Sequence, residues 1–341
     1  MKLKIKRSIG GVRTLNVNNG IEKKIIPVFD LRQQSHHNLI ARYYADYKIG
    51  VIFGIGLYGA TSLVEFPRIG KYPQSAQAFW KVKQDRSVLD RIPLHIHPKD
   101  LPSIIDKDAI HEEFLPYIKT RKAREFFYQQ GVAIHLIVPV KKDYSRLHPI
   151  FVTKPEDWKV KGVPKDQWLN VPTVAAFWWH DPDMEQIYLK VRRLNPHAYA
   201  GISSFNDHGE EPAWDEQGVL KYLNKKNKYP FDFMVTDPGS EKRGVKSSHP
   251  QIAIPLKGEQ SVWKVYRTGA TDIEAFLKRL GSQHGYRFVQ GVRQAARAHK
   301  PNMNLDSLIL DVQRHIQNIV KRRQRKLTDR KIYAKLGEII G

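Results

Sequence analysis

Short apolar runs bounded by turn residues recur along the chain, and they constrain its fold more than any other feature. The run Val132–Val140, VAIHLIVPV, is apolar almost throughout, which is typical of a strand that is buried on both faces. The uncharged segment 49–64 is too short and too glycine-rich to span about 30 Å of hydrocarbon. We interpret it as a buried strand followed by a glycine-rich turn.

Helical patterns alternate irregularly with these strands. Apolar residues recur at helical spacing in segments 75–83, 103–128, 184–194 and 272–280. The segments PTVAAFWW, AYAGISSF, FDFMVTD and SVWKVYRTG have the composition of strands. Because strands and helices do not follow a strict βαβ repeat, we predict an α/β (α+β) fold with a mixed sheet and flanking helices.

Shifts in composition at both ends divide the chain into three parts. Residues 1–35 are basic and are predicted to form an N-terminal arm or an added strand. Residues 36–280 are predicted to be the main domain, and residues 281–341 a basic helical C-terminal extension. Within that extension, apolar residues recur at helical spacing from Leu305 to Val320, which predicts an amphipathic helix.

The charge balance points to the kind of partner. Lys and Arg total 57 against 34 Asp and Glu, which gives a formal net charge of +23. Such an excess indicates a polyanionic partner such as a nucleic acid or a nucleotide. The lack of cysteine excludes a disulfide scaffold, a thiolate zinc site and a cysteine nucleophile. No apolar stretch follows the basic N-terminus, so we expect a soluble cytoplasmic protein with no membrane partner.

Motifs of the common enzyme classes are weak or lacking. The glycines of GIGLYG match the dinucleotide-binding pattern, but no helix of the needed length and no acidic residue follow at the required distance. His95 and His97 would share one face of a strand and could bind a metal, yet no carboxylate pattern completes a ligand set. We therefore predict no metal site, and neither a serine hydrolase, a zincin nor a P-loop NTPase.

An ordered series of short motifs is more informative. The pair Tyr58–Gly59 follows a strand, and the helix SAQAFWKVKQDR then carries Lys83 and Arg86. The segments NVPTVAAFWWHDP, AGISSFNDHGEEP, FDFMVTDPGSEKRGVKSSHPQIAI and VYRTGAT come later in that order. Over residues 40–280 or so, the chain resembles the YrdC-type threonylcarbamoyl-AMP synthase family.

This resemblance implies a fold, a reaction and a site. It implies a YrdC-like twisted mixed sheet, and a reaction that joins threonine, bicarbonate and ATP into an adenylate used in tRNA modification. ATP would be the substrate, with Mg²⁺ as a candidate accompanying ion. Tyr58 and Gly59 would belong to the substrate site. The residues implied to bind the nucleotide are Lys83, Arg86, Ser204, Asn206, Ser248 and Arg267.

The physical chemistry of these side chains also suits an anion site, because guanidinium, ammonium and hydroxyl donors bind phosphate through charge-assisted hydrogen bonds. The alternative interpretation is that they form ordinary turns of an inherited fold.

The chain departs from the family pattern where the amino-acid substrate would bind. The hydroxyl-rich P-T-x-T run is missing before Tyr58, and Phe177 stands where the family has an arginine. Lys83 and Arg86 are separated by two residues rather than one. Two hypotheses follow: a nucleotide- and RNA-binding protein related to the synthases, and a catalytically inactive RNA-binding module on the same scaffold. If the chain is active, the resemblance implies a nucleotidyltransferase of the L-threonylcarbamoyladenylate synthase type.

The basic C-terminal tail is the candidate RNA-binding element. Its cations would attract the phosphate backbone with little sequence specificity, and tRNA is the favoured target by resemblance alone. A solvated charged tail is the alternative. The residues implied to contact RNA are Lys321, Arg322, Arg323, Arg325, Lys326, Arg330 and Lys331.

Overall fold

A computed structural model shows a mixed α/β fold built on one large sheet. The structure describes residues 4–7, 12–18, 23–54, 57–65, 92–120, 134–141, 147–160, 165, 168–178, 181–196, 198–206, 210–226, 231–237, 239, 249–269 and 271–293.

The strands of the described part are β1 (Lys4–Arg7), β2 (Arg13–Asn18), β3 (Lys23–Asp30), β4 (Gly50–Gly54), β5 (Leu57–Glu65), β6 (Leu94–His95), β7 (His135–Pro139), β8 (Val152–Thr153), β9 (Thr173–Phe177), β10 (Ala198–Ser204), β11 (Phe233–Thr236), β12 (Gln251–Ala253), β13 (Trp263–Arg267) and β14 (Tyr286–Arg293). The α-helices are α1 (Gln34–Ala45), α2 (Leu101–Ile104), α3 (Leu115–Lys119), α4 (Asp157–Val160), α5 (Pro182–Leu194), α6 (Glu216–Lys226) and α7 (Ile273–Arg279). Short 3-10 helices span Lys107–Ala109, Glu112–Phe114 and Pro149–Phe151.

The sheet is mixed, as the sequence predicts. Its strand order is β1-β2-β3-β11-β4-β5-β10-β6-β9-β7-β12-β13-β14, and β8 pairs with β9 outside this path. Pairs such as β3 with β11 and β7 with β12 are parallel, whereas β4 with β5 and β5 with β10 are antiparallel. The strands in the middle are buried on both faces, which explains why β7 and β11 consist mostly of apolar residues.

One face of the sheet is covered by α1 and α5, which pack against each other and against Ile52, Phe177 and Phe233. Helix α5 begins after Asp181, whose side chain accepts hydrogen bonds from the amides of residues 183 and 184 at 2.9 and 3.1 Å. Its buried residues recur at helical spacing, so one stripe faces the sheet. The predicted helix at 184–194 is therefore confirmed.

Close packing under this face requires a glycine in β4. Gly50 lies opposite Phe233 of β11, and a Cβ atom at residue 50 would lie within 2.8 Å of three atoms of the Phe233 ring. That ring is fully buried and contacts the rings of Tyr43 and Tyr44, at centroid distances of 5.4 and 5.3 Å, so it has little room to move.

The segment 103–128, which the sequence predicts to be helical, is helical only in short pieces over its described part. Helix α2 ends at Ile104, because Ile105 adopts an extended backbone and pairs with Val140. Two 3-10 turns and the short α3 follow, with α3 ending at Lys119. Residues 121–133, the predicted helix at 75–83 and the C-terminal helix all lie outside the described residues.

Both ends of the described chain join the same sheet. In the predicted N-terminal arm, β1, β2 and β3 form an antiparallel ribbon, and β3 pairs in parallel with β11. At the other end, β14 pairs in parallel with β13, although no strand is predicted there from the sequence. The division into three domains stays a prediction. Among the described residues, we find no helix with the length and apolarity needed to cross a membrane.

Candidate functional site

An open cleft of about 510 Å³ lies on the sheet face that also carries α1 and α5. It is lined from β4 on one side to β13 on the other, so the sheet is concave here. Strand register explains how distant residues reach it, because directly paired residues share one face. Gly59 pairs with both Ile52 and Ser204, and Gln251 pairs with both His135 and Arg267. The described lining residues are Ile52, Gly54, Leu57, Gly59, Pro93, His135, Phe177, Ile202, Ser203, Ser204, His249 and Arg267.

Arg267 is the cation of the described lining. Its Nε and Nη2 atoms donate to the carbonyl oxygen of His249 at 3.0 and 2.6 Å. Two hydrogen bonds to one acceptor fix the plane of the guanidinium group at the end of β13. The cleft therefore presents a permanent positive charge in a defined orientation.

His249 also forms part of an aromatic cluster behind this cation. Its ring stacks on Phe177 with centroids 5.6 Å apart and planes 17° apart, and the His135 ring lies 5.0 Å from Phe177. Burial, and then the charge of Arg267, lower the pKa of His249 to about 3. The His249 side chain is therefore neutral at physiological pH and adds no charge to the cleft.

A turn after β10 forms another part of the site. The Ser204 hydroxyl donates to Oδ1 of Asn206 at 2.6 Å, and Nδ2 of Asn206 donates to the carbonyl oxygen of Glu210 at 2.6 Å. The second bond fixes the orientation of the amide, so Oδ1 must face the serine. The Ser204 hydrogen is consequently used within the turn, and its oxygen faces the cleft as an acceptor.

The glycine-rich hairpin places its two predicted substrate residues differently. Gly59 lies in the cleft, whereas the Tyr58 side chain is fully buried and its ring lies 5.2 Å from that of Phe53. The Tyr58 backbone holds the hairpin to the β10 turn, because its amide donates to Ala213 and its carbonyl accepts from Phe205. Tyr58 thus supports the cleft through its backbone bonds, while its side chain packs in the core.

Only some of the predicted site residues can be placed. Arg267 and Ser204 line one cleft, and Asn206 lies next to it in the turn. Lys83, Arg86 and Ser248 lie outside the described residues, as does the basic tail that is predicted to bind RNA. The motif series does not predict the apolar lining residues Ile52, Leu57 and Ile202. The available signal is the two-residue period of a strand, since it places Ile202 on the same face as Ser204, a residue of the motif series.

The two histidines considered as metal ligands have buried positions. His95 stacks on Trp178 with centroids 4.7 Å apart, and burial followed by the proximity of His97 lowers its pKa to about 3. His97 stacks on Tyr188 and lies 3.5 Å from the Glu185 carboxylate. Within the described ranges, no three His, Asp or Glu side chains form a group that could hold a metal ion. We therefore place no Mg²⁺ ligands on the described chain.

Comparison with known proteins identifies the fold. No protein-family model matches the chain, and no curated protein matches it in sequence. A double-alanine variant of P. abyssi Sua5 is similar in structure, with a TM-score of 0.50 and 15% identity. The match covers 76% of this chain and 65% of the Sua5 chain.

Two further solved structures have lower scores. P. abyssi Sua5 complexed with L-threonine matches with a TM-score of 0.49 and 14% identity, over 76% of this chain and 62% of that one. E. coli YciO matches with a TM-score of 0.45 and 11% identity, over 74% of this chain and 100% of its own. At such identities a likeness in structure is informative about the fold alone. The large mixed sheet with flanking helices and the match to Sua5 together show that this chain has a YrdC-like fold.

Proposed function

We propose that the chain binds a nucleotide, ATP being the expected one, in the cleft that contains Arg267. The observation that carries this proposal is the convergence of Arg267, the Ser204–Asn206 turn and Gly59 on one cleft, although they are far apart in sequence. They are the described members of the motif series that resembles the threonylcarbamoyl-AMP synthases. The guanidinium of Arg267, fixed at the end of β13, can form charge-assisted hydrogen bonds with an anionic group such as a phosphate.

In this proposal the nucleotide-binding residues have two roles. Lys83, Arg86, Ser248 and Arg267 bind the phosphates through charge-assisted hydrogen bonds. Ser204 and Asn206 stabilise the turn that forms the wall of the nucleotide site. A reaction that forms an adenylate would need chiefly positioning and charge stabilisation, and little acid–base chemistry.

The proposed macromolecular partner is RNA, with tRNA the favoured class. The net charge of +23 supports a polyanionic partner, and the residues from Lys321 to Lys331 are the proposed contact. The affinity that comes from contacts with phosphates falls as the salt concentration rises, and it depends little on the RNA sequence.

We expect weak or undetectable pyrophosphate release when the protein is incubated with ATP, threonine and bicarbonate. The hairpin carries no hydroxyl-rich run, and Phe177 is a buried apolar side chain where a cation would be needed. The measurement is release of pyrophosphate together with detection of the adenylate. Turnover near the enzyme median of about 10 per second would contradict this expectation and assign the chain to the synthases. No detectable binding of ATP would contradict the proposed function itself.

A chain that ends at Val320 should bind RNA more weakly than the full chain and with a shallower salt dependence. Each neutralised phosphate adds about 0.7–0.9 to the slope of log affinity against log salt, so losing several contacts should be visible in the slope. Fluorescence anisotropy with a labelled tRNA over a salt series measures both quantities. Affinity for ATP serves as the control and should not change. An unaltered affinity and slope for RNA would exclude the tail as the RNA-binding element.

A further inference from the structure

Strand β14 carries a pair of aromatic side chains at the edge of the sheet. Tyr286 and Phe288 alternate with Arg287, so the two rings share one face of the strand and Arg287 lies on the other. The rings lie 5.6 Å apart at an interplanar angle of 89°. In this arrangement Tyr286 covers at most one face of the Phe288 ring. Because Phe288 is 54% exposed, a flat apolar surface is accessible to a ligand.

Phe288 differs from the other large apolar side chains that are exposed in the described ranges, because those are aliphatic. They are Ile25, Leu39, Leu189 and Leu194. Single aliphatic side chains on a surface are normal and indicate no partner. An exposed ring on a strand can instead stack on the π face of a nucleic-acid base. The contact with Tyr286 restricts the Phe288 ring, which lowers the entropy that stacking would cost.

The segment that contains this aromatic pair is basic. Between Glu274 and Asp306 the sequence has six Lys and Arg residues and no Asp or Glu. Arg287 is exposed, and its Nη1 atom donates to Oε1 of Gln260 at 3.0 Å. A guanidinium group has further N–H donors, which can bind a phosphate at the same time. A ring and a cation at adjacent positions match the base and the phosphate of a nucleotide strand.

Strand β14 also extends towards the cleft. Phe288 pairs with Val265 of β13, and Arg293 at the other end of β14 pairs with Arg267. Neighbouring strands lie about 5 Å apart, so the backbone of β14 passes next to the cation of the cleft. In the described part of the chain β14 ends the sheet and pairs with β13 alone, so no other described strand covers its outer edge.

We propose that β14 binds single-stranded RNA, with a base stacked on Phe288 and a neighbouring phosphate bound by Arg287. This inference rests on the proposed RNA partner. Bases within a duplex already stack on one another, so the RNA that fits β14 is an unpaired loop or end. Stacking on the ring adds affinity that depends little on salt, whereas contacts between the basic tail and phosphates weaken as salt rises.

Replacement of Phe288 by alanine tests the stacking contact. Fluorescence anisotropy over a salt series would measure binding of a labelled oligouridylate of about 12 nucleotides to the full chain. Phe288→Ala should weaken this binding roughly 5- to 150-fold, the range typical of one lost base-stacking side chain. The salt slope should not change, because no cation is removed. Affinity for an RNA duplex of the same length should also stay the same.

Three variants serve as controls. Phe288→Trp keeps an aromatic ring and should bind the oligouridylate about as well as the wild type. Ile25→Ala removes an exposed apolar side chain from β3, near the other end of the sheet, and should leave the affinity unaltered. Arg287→Gln should lower the salt slope by about 0.7, the value for one phosphate contact with a single strand. Thermal unfolding checks that each variant is folded.

The outcomes separate this inference from the proposed function. An unchanged affinity for the oligouridylate in folded Phe288→Ala, or an equal loss of affinity for the duplex, would overturn the inference and leave the proposed RNA partner standing. If light scattering showed a wild-type dimer that Phe288→Ala dissociates without loss of RNA affinity, the aromatic pair would be a contact between two copies, which would also overturn it. A wild type that binds neither RNA would contradict the proposed RNA partner itself, before any variant is compared.

Discussion

Replacement of Arg32 by methionine is expected to lower the free energy of unfolding by about 3–5 kcal/mol. Arg32 follows β3, and its guanidinium contacts Asp181 at 2.7 Å, Asp183 at 2.9 Å and, more closely still, Asp237. These three carboxylates have side chains that are at most 9% exposed. Without the arginine, buried negative charges at the start of α5 and the end of β11 lose their counter-charge, and their desolvation is no longer offset.

Urea unfolding followed by circular dichroism measures this effect. Lys225→Met is the matched control, because it removes a cation from an ion pair with Glu210 whose side chains are 57% and 44% exposed. Exposed pairs contribute about 0–1 kcal/mol, so this variant should remain close to the wild type. A loss for Arg32→Met no larger than that of the control would show that the carboxylate cluster does not depend on Arg32.

Replacement of both Lys83 and Arg267 by alanine is expected to weaken ATP binding by about 1.5–3 kcal/mol for each lost charged hydrogen-bonding group. In the proposed function these cations bind the phosphates from different parts of the chain. The His249 carbonyl holds the Arg267 guanidinium in place. Alanine has no such group, so the variant loses the proposed contact with the phosphates. Isothermal calorimetry of ATP binding to the wild type and to the double variant measures the change.

The control for this experiment removes two other cations. Lys48 and Lys257 are exposed and do not line the cleft, so their double replacement by alanine changes the net charge equally. ATP binding should be almost unaltered in that variant, because screened surface charges act weakly over distance. An unchanged affinity for ATP in the folded Lys83/Arg267 variant would exclude these residues from the nucleotide site.

The apolar patterns of the sequence predict most central strands and the helices α5 and α7. The runs at β7, β9, β10, β11 and β13 are confirmed as strands. Asp181 and Asp272 both precede helices and accept hydrogen bonds from their first turns, which is a local signal that the sequence carries. The helical segment predicted at 103–128 is interrupted because Ile105 gains a strand partner, Val140, that no local pattern reveals.

The site could be predicted only in part. The motif order selected Arg267, Ser204 and Gly59, and all three line the cleft. Local sequence did not reveal that the Ser204 hydrogen is used by Asn206, nor that Tyr58 faces the core. Both facts depend on where neighbouring strands and turns lie after folding.

The sequence by itself determined the strand-forming segments, the charge of the chain and the helix starts, because each depends on residues close together along the chain. Only the tertiary structure decided which of these residues meet. Ile52, Phe177, Ile202 and Arg267 reach one cleft because strand pairing and register place them on the same face of a concave sheet. Register is set by the packing of whole strands against α1 and α5, so no short segment can specify it.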